Sequence, residues 1–148
     1  METVLNVLHV VTAVFIVGPM AILPMSAMRA VRAGNGAQVA ILAKSTNIFS
    51  LLSLVVVFFG FGVMGMADAK YALSFTTPWI LWSIILYVVA LAISLFVVVP
   101  AMKKAADALQ ASDGAVTASS AGYPAIAAGS GIASLLLVIV VVLMVWKP

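Results

Sequence analysis

The chain has 148 residues, of which 66% are hydrophobic and 7% charged, where a soluble domain carries about 25% charged residues. That composition excludes a soluble globular protein, and the absence of cysteine excludes disulfides, thiolate metal sites and cysteine nucleophiles. The net charge of +3 is accounted for by loop cations meeting lipid headgroups, and nothing points to nucleic acid.

Four stretches run without any charge: 3–28, 45–67, 71–102 and 114–146. Each exceeds the roughly 20 residues that a helix needs to cross a bilayer core. The runs are apolar on every face and lack the alternation of barrel strands. The sequence therefore predicts an all-α integral membrane protein, a four-transmembrane-helix bundle forming one domain over 1–148. Its helices are expected at about 3–33, 45–67, 78–109 and 124–146. A cleaved leader would open on Lys or Arg, whereas the only early charge is Glu2, so the first segment is expected to remain as a span.

Helix 1 carries Asn6, His9 and Thr12 one turn apart. Gly18, Pro19 and Pro24 interrupt it, and because proline lacks a donor and pushes off the carbonyl four residues back, a kink is expected near mid-membrane. After Pro24 a short tail holds Arg29 and Arg32. Helix 2 presents Thr46, Ser50, Ser53 and Gly60, with Gly62 and Gly65 following. No strand precedes these glycines, so they read as close helix packing and not as a phosphate loop. Pro78 suits the first turn of helix 3, and Trp79 and Trp82 suit the interface belt. Its polar stripe is Ser83, Tyr87, Ala90 and Ser94, and after Pro100 comes a second tail with Lys103 and Lys104. Gln110 to Gly122, rich in Ala, Ser and Gly, reads as the loosest loop. Tyr123 and Pro124 open helix 4, which carries small residues every fourth position, Ala121, Ala125, Gly129 and Ala133, with Ser130 and Ser134 beside them. Without a hydrophobic drive between helices in lipid, such a run marks a close helix contact, here expected against helix 1 or 3 of the same chain. The helix ends in a uniform Leu/Val/Ile surface closed by Trp146 and Lys147.

Arg29, Arg32 and Lys44 lie between helices 1 and 2, and Lys103 and Lys104 between helices 3 and 4, against only Lys70 and Lys147 opposite. Cytoplasmic loops are enriched in Lys and Arg. These five cations are thus the predicted cytoplasmic anchors, and both termini are expected outside, in a plasma or inner membrane. Superposing Pro24 on Pro100 also aligns the two tails and lays helix 2 on helix 4, which reads as two tandem hairpins related by a parallel repeat.

His9 is the only histidine. An ionisable residue in a span is a functional-site candidate by default. At about 1.5 Å per residue it sits roughly 9 Å below the outer surface, where Asn6 and Thr12 could satisfy the ring. The competing reading makes it a ligand for copper, haem or a quinone. Met64 and Met66 fall in the same leaflet, and two thioethers with an imidazole would suit Cu(I). The acids Glu2, Asp68, Asp107 and Asp113 all lie outside the spans. That leaves no acid pair, no Ser-His-Asp set and no buried charge for proton coupling, so no enzyme is expected.

The run Leu8-His-Val-Val-Thr-Ala-Val-Phe-Ile-Val-Gly-Pro19, then Pro24 and the Met-Arg-Ala-Val-Arg tail, resembles the opening of a family of small bacterial predicted integral membrane proteins of unknown function, common in actinobacteria. That family is similar in turn to the membrane domain of copper-resistance D proteins, whose first helix also carries a Leu-His pair followed by a small residue and a glycine. The start of helix 3 at Trp79 to Trp82 and its end at Val99-Pro-Ala-Met-Lys-Lys fit the same pattern. The resemblance implies a four-helix bundle with His9 and Gly18 as the matched positions. Two functions follow as expectations. The first is a non-enzymatic accessory or scaffolding subunit of a larger membrane assembly, such as a respiratory complex, bound to other membrane subunits or to itself and holding no cofactor. The alternative is a small transport or cofactor-binding protein, for copper or haem, centred on His9.

Overall fold

The computed structural model describes residues 1–113 and 122–148. Four long helices make up the fold: α1 (Glu2–Arg32), α2 (Gly36–Met66), α3 (Pro78–Ala111) and α4 (Tyr123–Trp146), each long and apolar enough to cross a membrane. One short 3-10 turn at Ala69–Tyr71 lies between α2 and α3. The surface is inverted relative to a soluble protein, with Phe15, Phe58 and Phe96 each more than 70% exposed, as lipid requires. The membrane class predicted from composition therefore stands, and the bundle is all-helical among the described residues.

At about 1.5 Å per residue, the 31 residues of α1 measure roughly 46 Å, well beyond the roughly 30 Å of hydrocarbon. The tails after Pro24 and Pro100 are helical continuations, as expected. Helix α2 differs from expectation at its start. It begins at Gly36 and not near residue 45, because the Asn35 side chain accepts the Gln38 N–H at 3.1 Å and caps it. Lys44 is consequently an exposed helix residue with its ammonium free to reach water.

The disturbance predicted in α1 takes the form of a π turn over Ala13–Val17, ending just before Gly18 and Pro19. Pro19 would otherwise collide with the carbonyl of Phe15, and widening the turn relieves that contact. Pro24 sits buried inside regular α-helix. Helix α3 repeats the device, with a π turn over Ser94–Val98 followed by Val99 and Pro100. Pro19 thus occupies after the π turn of α1 the place that Pro100 occupies in α3, whereas the basic tails align Pro24 with Pro100.

Packing is uneven along the bundle axis. At the end carrying the basic residues, α1, α2, α3 and the start of α4 share one core of Ala27, Val31, Val39, Ala43, Met102, Ala105, Leu109 and Ile126. Arg29, Lys44, Lys103 and Lys104 are exposed there, while Arg32 donates to the Tyr123 hydroxyl and lies 4.8 Å from the ring centroid. The helices approach closely here at Gly36, where a Cβ would fall 2.9 Å from the Gln110 backbone nitrogen. Towards the end carrying both termini the helices part into two pairs, α1 with α2 and α3 with α4. The α4 small face packs on the π turn of α3, since a Cβ at Gly129 would meet Val98 Cγ2 at 2.9 Å. Ala133 is buried with it, together with Ile126 and Leu137. Ala125 is exposed, because the buried stripe runs through Ile126, one position further round the helix. Ala121 and most of the predicted loop from 110 to 122 lie outside the described residues.

Candidate functional site

The parting of the two pairs leaves a chamber of about 1010 Å³ lined by all four helices. Its wall is mostly apolar. From α1 come Val10, Val14, Gly18 and Ile22, and from α4 Leu137, Val138, Val141 and Val145. Several of these, Val14, Ile22, Val141 and Val145 among them, are more than half exposed, and Leu54 of α2 and Val88 of α3, which also line it, are about half exposed, so the chamber is open at its sides. A second pocket of about 300 Å³ adjoins it at the terminal end, where Asn6, Trp79 and Lys147 line both and Glu2 and Tyr71 line the smaller one.

Few polar groups face this space, and each is placed by its helix. His9 is held by α2. Its Nδ1 lies 2.8 Å from the Val56 carbonyl oxygen, and since a carbonyl only accepts, Nδ1 carries the proton. The ring rests on Gly60, where a Cβ would stand 2.9 Å from His9 Cε1. The second glycine works similarly, with a Cβ at Gly62 falling 3.3 Å from Leu5 Cδ1. Gly60 and Gly62 are therefore the close packing that the sequence implied, and Gly65 has no neighbour of this kind. The neighbours expected to satisfy the ring do not do so. Thr12 donates to the Leu8 carbonyl at 2.6 Å, and Asn6 is exposed at the mouth.

From α3, the Ser83 hydroxyl donates to the Trp79 carbonyl at 2.7 Å. Tyr87 pairs with Ser53 of α2 at 2.6 Å, and Ser53 in turn donates to the Ser50 carbonyl. From α4, Ser134 donates to the Ala21 carbonyl of α1 at 3.3 Å. Ser53 and Ser134 thus tie each helix pair to the other across the bundle. Thr46, Ser50, Ser53, Ser83 and Ser94 are all buried, so the Ser/Thr stripes read from the sequence do mark the interior. Ser130, which the sequence set beside the small run, is buried as well.

The proposed metal trio is not brought together as a set. Met64 lines the chamber with His9, whereas Met66 is half exposed and lies outside its lining. Among the described residues no group of three His, Cys, Asp or Glu converges. One imidazole nitrogen and one thioether fall short of the ligand sets that hold copper in a closed site, and with a single histidine in the chain a two-histidine haem site would need a second copy, whereas a His–Met pair would not.

Length, composition and packing define a four-helix integral membrane protein whose internal space is apolar. The sequence matches, over residues 3–148, the family described as "Predicted integral membrane protein (DUF2269)", and the chain belongs to that family. No curated protein and no solved structure matches it.

Proposed function

We propose that the protein is a non-enzymatic binding protein of the cell membrane, which holds a small lipid-soluble molecule in the chamber between its two helix pairs. The observation that carries this reading is the chamber itself. Its roughly 1010 Å³ lies at the upper end of small-molecule sites, and its few polar groups among apolar walls match how such sites are built. The exposed lining residues, Val14 and Val141 among them, supply a route from the bilayer. The Lys and Arg asymmetry supports an outer-leaflet position for the chamber, with both termini outside. No metal or haem is part of this reading, which rests on the apolar chamber alone.

The accessory-subunit expectation keeps one supporting observation, which is the same exposed apolar lining. A helix of a partner chain could lie along Val14, Ile22, Val141 and Val145. A photoactivatable alkyl diazirine, added to the protein in lipid nanodiscs, separates the two. The binding reading expects adducts concentrated on Val14 and Val141 and lost in Gly18→Phe. A side chain at Gly18 enters open space and lies in the lining, so that variant fills the chamber without a backbone clash. Gly131→Phe is the control, since Gly131 also has open space but does not line the chamber. Adducts spread evenly over Phe15, Phe58 and Phe96, unchanged by Gly18→Phe, would overturn the binding reading. Co-purification of a stoichiometric membrane chain whose contact is lost in Gly18→Phe would replace it with the subunit reading.

A further inference from the structure

The chamber's polar groups can be sorted by where their protons go. Ser83 has spent its hydroxyl proton on the Trp79 carbonyl and Ser134 its proton on the Ala21 carbonyl. Ser53 gives its proton to the Ser50 carbonyl, so in the Ser53–Tyr87 pair it is Tyr87 that donates. His9 gives its one neutral-state proton to Val56. Each of these groups keeps a lone pair and has no proton left to offer. His9 Nε2 takes no partner among the described residues and is not one of the buried unpartnered atoms, so it reaches open space. Ser50, whose hydroxyl is unpartnered, lies outside the lining. The donors that the lining does hold, Asn6, Trp79 and Lys147, sit at the mouth, where the two pockets meet.

From this accounting, and resting on the binding reading above, we propose that the chamber selects an apolar molecule bearing a hydrogen-bond donor, an alcohol or a phenol, whose hydroxyl donates to His9 Nε2. A carbonyl or ether of the same shape finds only lone pairs facing it inside the chamber. Burying such an oxygen without a partner is unfavourable, so the discrimination comes from both the bond made and the bond denied. Gly60 is part of the device, since it lets the imidazole lie against α2 with Nδ1 committed and Nε2 free. Val56 fixes the tautomer in the way that a partner on one ring nitrogen sets the role of the other.

The test compares 4-dodecylphenol with 4-dodecylanisole, which differs by one methyl group on the oxygen. Binding of each radiolabelled probe is measured to the full chain in phosphatidylcholine nanodiscs, against empty discs. The phenol is expected to bind about three- to tenfold more tightly, the value of one net hydrogen bond. In His9→Leu that advantage disappears while the anisole binds as before. Because the chain has a single histidine, ¹⁵N-histidine labelling yields one pair of ring signals from wild type and needs no variant. The Nδ1 signal is expected in the protonated range, and Nε2 in the unprotonated range, moving on addition of the phenol and not of the anisole. Equal binding of the two probes, or a proton on Nε2 in place of Nδ1, would overturn the inference and leave the chamber reading standing. Failure of both probes to bind above empty discs would overturn the chamber reading and the inference with it.

Discussion

Replacing Gly60 with alanine tests the contact that orients His9. The added Cβ would stand 2.9 Å from Cε1 and 3.2 Å from Nδ1 of the imidazole. Separations that short are not tolerated, and the atoms that must yield belong to a ring that can swing about its side-chain bonds. Swinging away breaks the 2.8 Å bond to Val56. A side-chain hydrogen bond between membrane helices is worth about 0.6 kcal/mol on average and up to about 1.7. Repacking the ring adds a further loss at the low end of the roughly 1–3 kcal/mol typical of overpacking. The expected cost is therefore about 2 kcal/mol, measured by reversible unfolding in mixed detergent micelles. The decisive comparison is a double-mutant cycle with His9→Ala. Without the imidazole the Cβ meets nothing nearer than 3.7 Å, an ordinary contact distance, so Gly60→Ala should then cost little, and the coupling should approach the whole of the single-mutant effect. A cost that persists undiminished in the His9→Ala background would show that Gly60 is needed for α2 itself, and the account of His9 would fail.

Two further outcomes follow from the packing and the charges. Gly129→Leu, which drives a side chain into Val98 at 2.9 Å and Val97 at 3.3 Å, should cost about 2–3 kcal/mol, whereas Gly131→Leu, with open space around it, should lie within about 0.5 kcal/mol of wild type; the same unfolding assay reads both. A cysteine placed at Ala111, at the basic end, should react with a membrane-impermeant maleimide only in opened cells, and labelling of intact cells would reverse the orientation.

The spans were legible because an apolar run longer than the bilayer core has almost one structural solution. The start of α2 was not, because counting charge-free residues ends the helix at Lys44, while a lysine near a helix end is easily accommodated once its ammonium reaches water. Ser53, Ser83 and Thr46 could be placed inside from their spacing alone. For the small-residue run, spacing gave the face only to within one position. Gly129 and Ala133 are buried, but the stripe continues through Ile126 instead of Ala125, since bulky and small residues share one contact. His9 stands out in the sequence as the polar residue to explain, yet its partner is a backbone carbonyl, a group that every residue carries and no motif announces. The one available signal was Gly60, a residue small enough to admit a ring from the facing helix. The chamber had no signature in the sequence. It depends on how far two helix pairs diverge, which is a property of tertiary packing.

The shared core at the basic end has a thermodynamic consequence. Trp79, Trp82 and Trp146 mark the terminal end as an interface, and about 20 residues of helix span the hydrocarbon from there. Ala27, Val31, Val39, Met102, Ala105 and Leu109 then come together beyond the lipid tails, among headgroups and water. Within the hydrocarbon, helices associate without a hydrophobic drive, but this cluster removes apolar surface from water and is held as a soluble core is held. One molecule thus has two solvents and two assembly forces, a water-driven knot at one end and lipid-solvated pairs at the other. Urea, which weakens apolar burial from water, should loosen the knot first and leave the spanning halves helical.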